Sequence, residues 1–348
     1  MENQIQTSKR IEWIDTAKGI GLLLVMLGHL HVPYMSAWIY TFHMPLFFFL
    51  SGVVFSGDKY SFKEFCLKRI KSLVVPYFCL GFVIYLFYVI VNAVIGAENG
   101  LYGTNMDMLK NFFVQEHFWT IWFLACLFVV EVLWYWIWKV FSRWAAAPAV
   151  VSICLCIVGL LRYRLGYGSL PWNLDVALVA QFFFYVGYCF KCSPQAQKFF
   201  EKMQKNTYIL WVAIMFLMNV ATGLLCIRLS GESLDMSIGM YGNEVLTILS
   251  ALAGTLFVIL ISKKINNRFL TYLGQNTMVL FAWHSRIVIV LCGYIYKSLG
   301  VFQGQGVFER VLYSTVTLVI ILIVLIPINE AIKESRLHFL FGVRREKV

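Results

Sequence analysis

A carboxylate, a lysine and a histidine are spaced at helical intervals within an otherwise apolar segment near the start of the chain. The segment reads I-E-W-I-D-T-A-K-G-I-G-L-L-L-V-M-L-G-H, where Asp15 precedes Lys18 by three residues and Lys18 precedes His29 by eleven. In a helix both spacings place the side chains on one face, and Lys18 lies about 16–17 Å from His29 along the axis. An imidazole exchanges protons near neutral pH, and an ammonium group binds anions. This polar stripe is the first candidate site.

A second polar block follows after a short connection. The sequence T-F-H-M-P-L-F-F-F-L-S-G places His43 near the start of the next apolar stretch. A turn around Pro33 to Ala37 is predicted to bring His29 and His43 to a similar depth, and Pro45 predicts a helix bend beside His43. The alternative interpretation is that the carboxylate and lysine form a neutralised pair at a membrane boundary, with His29 an ordinary core histidine.

Other polar and aromatic residues are predicted to reach the layer of His29 and His43. They are His117, Trp119, Trp122, Asp175, Asn243, Glu244, His284 and Arg286. Ionisable groups within a membrane are costly unless they are paired or line a cavity, so each is a candidate for function. Tryptophans at span ends ordinarily form an interfacial belt, but Trp119 and Trp122 also offer a stacking surface for a sugar ring.

Transmembrane helices must position these residues. Hydrophobic residues make up 60% of the 348 positions and charged residues only 14%, a composition foreign to soluble domains. With about 20 apolar residues needed per crossing, the predicted spans are 12–33, 37–56, 73–96, 118–138, 147–161, 174–190, 207–227, 243–262, 272–296 and 311–332. We therefore predict an all-α polytopic bundle of about ten transmembrane helices, in one membrane domain covering residues 1–348.

The basic residues predict the orientation of this bundle. If the N-terminus is cytoplasmic, 21 lysines and arginines fall on the inside and 6 on the outside. The positive-inside rule then places both termini in the cytoplasm of a multi-pass protein, expected in the bacterial plasma membrane. The net charge of +11 is explained by membrane lipids rather than nucleic acid as the partner.

The cysteines do not predict a metal site. Seven of the nine lie within predicted spans and are interpreted as packing residues. Cys189 and Cys192 form a single C-x-x-C with no second pair to complete a zinc site. We expect no metal.

The segment from Asp15 to His29 resembles the signature of the integral membrane acyltransferase-3 family, especially its branch of fucose 4-O-acetylase-like sugar acetyltransferases. The resemblance continues in F-H-M-P-L-F-F-F-L-S-G, in H-F-W-T-I-W-F-L and in L-G-Q-N-T-M-V-L-F-A-W-H. Lys18 stands where many relatives have arginine, so bidentate phosphate binding would be lost.

The resemblance implies a membrane O-acyltransferase that moves an acyl group, usually acetyl from cytosolic acetyl-CoA, to a hydroxyl of a cell-surface or lipid-linked glycan. His29 is the expected general base, with acyl transfer through a covalent acyl-histidine as a variant. Asp15 would keep Lys18 charged. His43 and His284 would orient His29 or stabilise the oxyanion.

The remaining expected roles concern the two substrates. The residues expected to attract the CoA phosphates are Lys18, Lys68 and Arg69. The residues expected to bind the sugar are His117, Trp119, Trp122, Glu244 and Arg286. The alternative function is transport of a small polar substrate such as an amino acid, because a related membrane domain occurs in vancomycin-resistance serine racemases. The oligomeric state and the acceptor sugar stay open.

Overall fold

The computed structural model describes residues 11–32, 34–95, 103–115, 119–231, 234–304 and 306–343. Within these ranges the regular secondary structure is helical, apart from isolated bridge residues such as the pair Asp235 and Met240. The predicted all-α fold class is thus confirmed.

The described chain contains sixteen α-helices, numbered in chain order. They are α1 (Glu12–Gly28), α2 (Met35–Tyr40), α3 (His43–Val54), α4 (Phe62–Arg69), α5 (Val75–Ile95), α6 (Asn105–Val114), α7 (Trp122–Phe141), α8 (Ala147–Arg164), α9 (Leu174–Cys192), α10 (Pro194–Lys202), α11 (Lys205–Ser230), α12 (Glu244–Lys264), α13 (Arg268–Gln275), α14 (Thr277–Trp283), α15 (Val290–Leu299) and α16 (Val307–Glu334). Two π-helical turns, Ile70–Val74 and His284–Ile289, join α4 to α5 and α14 to α15.

Nine helical segments of this described part are long and apolar enough to cross a bilayer. They are Met35–Val54, Phe62–Val94, Trp122–Phe141, Ala147–Arg164, Pro171–Cys192, Lys205–Ser230, Glu244–Lys264, Thr277–Leu299 and Val307–Glu334. The remaining predicted span, 12–33, corresponds to the shorter α1, which has 17 residues. The polytopic bundle is therefore confirmed, whereas the cytoplasmic termini and the single domain over 1–348 stay predictions.

The second predicted span, 37–56, is interrupted rather than continuous. Helices α2 and α3 are separated by a turn in which the Thr41 hydroxyl donates to the Trp38 carbonyl oxygen at 2.8 Å. Pro45 falls in the first turn of α3, where its missing N–H would have had no helical acceptor. The predicted bend beside His43 is present as a break at Thr41 and Phe42, in the turn that precedes the proline.

The span predicted at 272–296 is also divided. Helix α13 ends before Asn276, and α14 leads into the π-helical turn that begins at His284. Several predicted boundaries cannot be compared, since residues 33, 96 and 118 lie outside the described ranges.

Helix α1 is held tightly against α13. A Cβ atom added at Gly274 would lie 1.7 Å from the Asp15 carbonyl oxygen, and one at Gly19 would lie 2.0 Å from the Leu270 carbonyl oxygen. Small residues let helix backbones approach in this way, which is how membrane helices gain packing energy. The contact therefore holds α1 against α13 at the end of α1 that carries Asp15 and Lys18. We predict that this end faces the cytoplasm.

We expect Gly274→Ala to lower the free energy of unfolding by about 1–3 kcal/mol, because the added methyl group must push α1 away from α13. The matched control is Gly293→Ala in α15, where an added Cβ meets nothing within 4 Å. That control should be neutral or slightly stabilising, since alanine favours helix. Thermal unfolding of the purified protein in detergent measures both. Equal midpoints for the two variants would show that the α1–α13 contact tolerates a side chain.

Candidate functional site

Three histidines occupy places where helices begin, end or widen. His29 is the C-terminal cap of α1, His43 is the first residue of α3, and His284 opens the π-helical turn after α14. His43 is 4% exposed and His284 is fully buried, while His29 is half-buried. π-helical turns are frequent at functional sites because they redirect side chains away from the regular helical pattern.

Each of these imidazoles faces a backbone carbonyl three or four residues earlier in the chain. The Nδ1 atom lies 2.8 Å from the Val25 oxygen for His29, 2.9 Å from the Ile39 oxygen for His43 and 2.8 Å from the Phe281 oxygen for His284. A carbonyl oxygen only accepts, so we assign the hydrogen to Nδ1 in all three rings. Nε2 is then the basic nitrogen of each neutral imidazole.

The structure brings His29 and His284 into direct contact. Their ring centroids lie 4.9 Å apart in an edge-on arrangement, and His284 Nε2 lies 3.4 Å from His29 Nδ1. The His29 N–H therefore has a second, longer acceptor besides the Val25 carbonyl. This contact holds the plane of the His29 ring.

Tyr40 connects His43 to this pair. Its ring centroid lies 4.9 Å from that of His43 and 6.1 Å from that of His29. Sequence reasoning missed Tyr40, whose only signal was its position three residues before His43. His29 and His43 therefore share one cluster, as the short connection between their helices predicted.

Arg286 supplies positive charge to the cluster. It lies on the π-helical turn and interacts electrostatically with His29, His284 and Tyr40. A cation beside a basic imidazole keeps that imidazole neutral and attracts negative charge that develops nearby. Of the residues expected to bind the sugar, Arg286 is the one that the structure places at the histidines.

Asp15 and Lys18 lie further along α1. Asp15 is buried, and its Oδ2 accepts from Gln275 Nε2 at 3.1 Å, across the α1–α13 contact. Lys18 is half-buried about one turn later. The Gln275 bond fixes the carboxylate on the face where sequence spacing placed the stripe.

Arg69 has a carboxylate partner inside the bundle. Its Nε lies 2.6 Å from Oε2 of Glu131 on α7, and the side chains are 25% and 4% exposed. A buried carboxylate without this cation would be costly. The sequence analysis did not single out Glu131, because nothing local indicates which helix faces α4.

Lys68 is exposed beside the same helix end. Its Nζ lies 3.3 Å from the centroid of the Tyr60 ring. The hydrogen bond from Lys68 and its positive charge lower the pKa of Tyr60. Lys68 thus contacts a surface ring, whereas Arg69 is paired with Glu131 within the protein.

The expected sugar-stacking tryptophans lie in an aromatic core. Trp119 stacks on Tyr88 at 5.9 Å between centroids, and Trp122 packs against Phe48 at 6.4 Å. Both are nearly buried, at 4% and 5% exposure, and neither lines the two cavities discussed below. Between them, Thr120 donates to the Ala282 carbonyl oxygen at 2.9 Å, which ties this segment to α14 just before His284.

The other residues expected to bind the sugar are dispersed. Glu244 is half-buried at the first turn of α12. His117 lies outside the described residues. Within the described ranges, no group of three or more His, Cys, Asp or Glu residues could hold a metal ion.

A cavity, here called the inner cavity, adjoins Tyr40 of this cluster. Tyr40, Thr41 and Pro45 form one wall of this cavity, so its wall includes the Tyr40 ring that contacts His29 and His43. The opposite walls come from α9 and from the segment before α12. Tyr40 therefore separates this cavity from the imidazoles of His29 and His43.

Comparison with known proteins gives a family match and two curated relatives. Residues 11–329 match the model of a family described as an acyltransferase domain. Nodulation protein NolL of Mesorhizobium japonicum is 33% identical over 179 residues, which cover 45% of this chain and 46% of the relative. NolL of Sinorhizobium fredii is 31% identical over 174 residues, covering 43% and 44%.

The chain thus spans about half the length of the curated relatives it matches. No solved structure matches it.

We expect Arg69→Ala to lower the free energy of unfolding by about 3–5 kcal/mol, because Glu131 would be left buried without its cation. The control is Lys68→Ala, which removes an exposed charge from the same helix and should cost less than about 1 kcal/mol. Thermal unfolding in detergent compares the two. If Arg69→Ala were as stable as Lys68→Ala, the ion pair would not contribute to the fold, and Arg69 would be available for a ligand.

Proposed function

The chain belongs to the acyltransferase family, as its sequence predicted, and from this premise we propose that it is a membrane O-acetyltransferase. Its donor is acetyl-CoA from the cytosol, and its acceptor is a hydroxyl of a cell-surface or lipid-linked glycan. The observation that carries the proposal is the contact between His29 and His284, in which His29 Nε2 is the basic nitrogen. The proposed location is the bacterial plasma membrane, and the fucose 4-O-acetylase-like branch is part of the proposal.

His29 acts as the general base in this proposal. The sugar oxygen attacks the thioester carbonyl carbon of acetyl-CoA while its proton passes to His29 Nε2. The tetrahedral intermediate then collapses, the carbon–sulfur bond breaks, and the imidazolium returns the proton to the departing CoA sulfur. The products are the acetyl ester and the free CoA thiol, and His29 is neutral again.

The other members of the cluster have two roles in this proposal, orientation of His29 and stabilisation of negative charge. His284 and His43 hold their hydrogens on Nδ1, toward the carbonyls of Phe281 and Ile39. Their Nε2 atoms therefore accept rather than donate, which favours orientation of His29 over stabilisation of an oxyanion. Arg286 is the cation beside the cluster and is the better group to stabilise negative charge on the former carbonyl oxygen.

Lys18 is the favoured residue for the CoA phosphates. Arg69 already neutralises Glu131 at 2.6 Å, and Lys68 lies over the Tyr60 ring. Along α1, Lys18 and His29 are separated by about 16–17 Å, a distance suited to the long, narrow pantetheine arm. This places the phosphates near Asp15 and the thioester near His29.

We expect His29→Ala to reduce acetyl transfer at least about 100-fold, because the attacking hydroxyl loses its proton acceptor. The control is His31→Asn, since His31 is exposed with φ 53° and asparagine tolerates that backbone conformation. The measurement is incorporation of labelled acetyl from acetyl-CoA into glycans of membranes that carry each variant. Full activity of His29→Ala would refute the assignment of the base.

The same assay separates an enzyme from a transporter. Label in the glycan supports acyl transfer by the wild-type protein. Accumulation of a small polar substrate in vesicles, with no labelled glycan, would indicate the carrier function instead.

We expect Lys18→Ala to raise the KM for acetyl-CoA about 10- to 100-fold, because a charge-assisted contact with a phosphate is lost. Lys18→Arg should retain most of the affinity, since it keeps the charge. Lys63→Ala, which removes an exposed charge from α4, is the control. An unchanged KM in a folded Lys18→Ala variant would assign Lys18 to structure rather than to donor binding.

A further inference from the structure

A second cavity lies beside the inner one. Its walls combine polar groups with aromatic rings, and the residues that matter here are Arg162, Tyr163, Tyr167, Ser169, Asp175 and Tyr241. We call it the outer cavity, because the connections that form it were predicted to lie outside the membrane.

Tyr241 is common to the linings of the two cavities. Its ring packs edge-on against Tyr163, with 5.7 Å between the centroids. The inner cavity reaches Tyr40 and Pro45. Tyr241 therefore stands between the outer cavity and the histidine cluster.

Two donors in the outer cavity have no hydrogen-bond partner within the described part of the chain. They are the hydroxyl of Tyr241, whose residue is 4% exposed, and Nε of Arg162. A buried polar atom without a partner is costly, so such atoms are candidates for contact with a ligand. Burial, followed by nearby ionisable groups such as Asp175, raises the pKa of Tyr241 well above its ordinary value, so the phenol stays a donor.

The rest of Arg162 is held in place by the connection after α8. Its Nη2 donates to the Gly168 carbonyl oxygen at 3.0 Å, and its guanidinium lies 5.3 Å from the centroid of the Tyr167 ring. These contacts position the guanidinium while leaving Nε for another acceptor. The site is thus built before a ligand arrives.

A tight hairpin closes both cavities on one side. The backbone N–H of Asp235 donates to the Met240 oxygen at 3.0 Å, and that of Met240 donates back at 2.9 Å. Met236 and Met240 line the inner cavity, while Ile238 and Gly239 line the outer one. The same hairpin therefore forms part of the wall of both cavities.

We infer that the outer cavity binds a sugar ring of the acceptor, with Tyr241 and Arg162 donating to its oxygens, and that the inner cavity leads the reacting hydroxyl to His29. Sugar rings present hydroxyl groups around their edge and C–H groups on their faces. Donors framed by Tyr163, Tyr167 and Tyr241 match both features. This inference rests on the proposed function and adds the place where the acceptor is recognised.

The test uses the purified full-length protein, labelled acetyl-CoA and a detergent extract of glycans from cells that lack the gene. The variants are Tyr241→Phe, which removes only the hydroxyl, and Arg162→Gln. The control is Tyr294→Phe, on the exposed face of α15 and 39% exposed. For each protein the KM is measured separately for the glycan extract and for acetyl-CoA.

We expect Tyr241→Phe to raise the acceptor KM about 3- to 10-fold, as loss of one neutral hydrogen bond does. Arg162→Gln should raise it further, and neither should change the KM for acetyl-CoA. The thermal midpoint of Tyr241→Phe should equal or exceed that of the wild type, since the lost hydroxyl has no partner within the described chain.

The outcomes separate this inference from the proposed function. If the wild-type protein labels no glycan, the proposed function fails, and this inference fails with it. If the wild-type protein labels glycan and both variants keep its acceptor KM, the inference is overturned while the proposed function stands. A lower thermal midpoint for Tyr241→Phe would assign the hydroxyl a structural role and also overturn the inference.

Discussion

The hydrogen bond from an imidazole to a backbone carbonyl three or four residues earlier is the interaction on which the candidate site depends. Polar groups within a bilayer must be satisfied by the protein itself. His29, His43 and His284 meet this requirement locally, through Nδ1 and the carbonyl about one turn earlier. The bond satisfies one nitrogen, sets the ring orientation and leaves Nε2 basic. The same local hydrogen bond thus orients three neighbouring histidines, of which His43 and His284 are buried.

The helix breaks determine where these imidazoles meet. In a continuous helix across residues 35–54, the directions of the Tyr40 and His43 side chains would be fixed by the helical repeat. The turn between α2 and α3 instead lets each helix set the direction of its own side chain. The π-helical turn does the same for His284 and Arg286. A break would expose backbone groups in lipid, but the one between α2 and α3 borders the inner cavity, and the π-helical turn begins at the fully buried His284. Irregular backbone and candidate chemistry therefore occur together.

Charged groups elsewhere in the bundle hold the helices that carry the site. Arg69 with Glu131 joins the end of α4 to α7, and Asp15 with Gln275 joins α1 to α13. The close backbone contact at Gly274 reinforces the second junction. In the proposed function, the donor phosphates lie near one end of α1 and His29 lies at the other end. The acceptor would arrive through the cavities that share Tyr241, so the two substrates would meet at the histidine cluster.

The sequence by itself determined the all-α polytopic bundle and the acyltransferase family. Runs of about 20 apolar residues and helical spacing are local properties, and they also placed Asp15, Lys18 and His29 on one stripe. Only the tertiary structure decided the partners: Glu131 for Arg69, Tyr40 between two histidines, and Arg286 as the cation of the cluster. It also placed Trp119 and Trp122 in an aromatic core and revealed Arg162 and Tyr241 at the outer cavity. Periodicity defines the face of a helix, but which helix packs against that face depends on contacts between residues far apart in the chain.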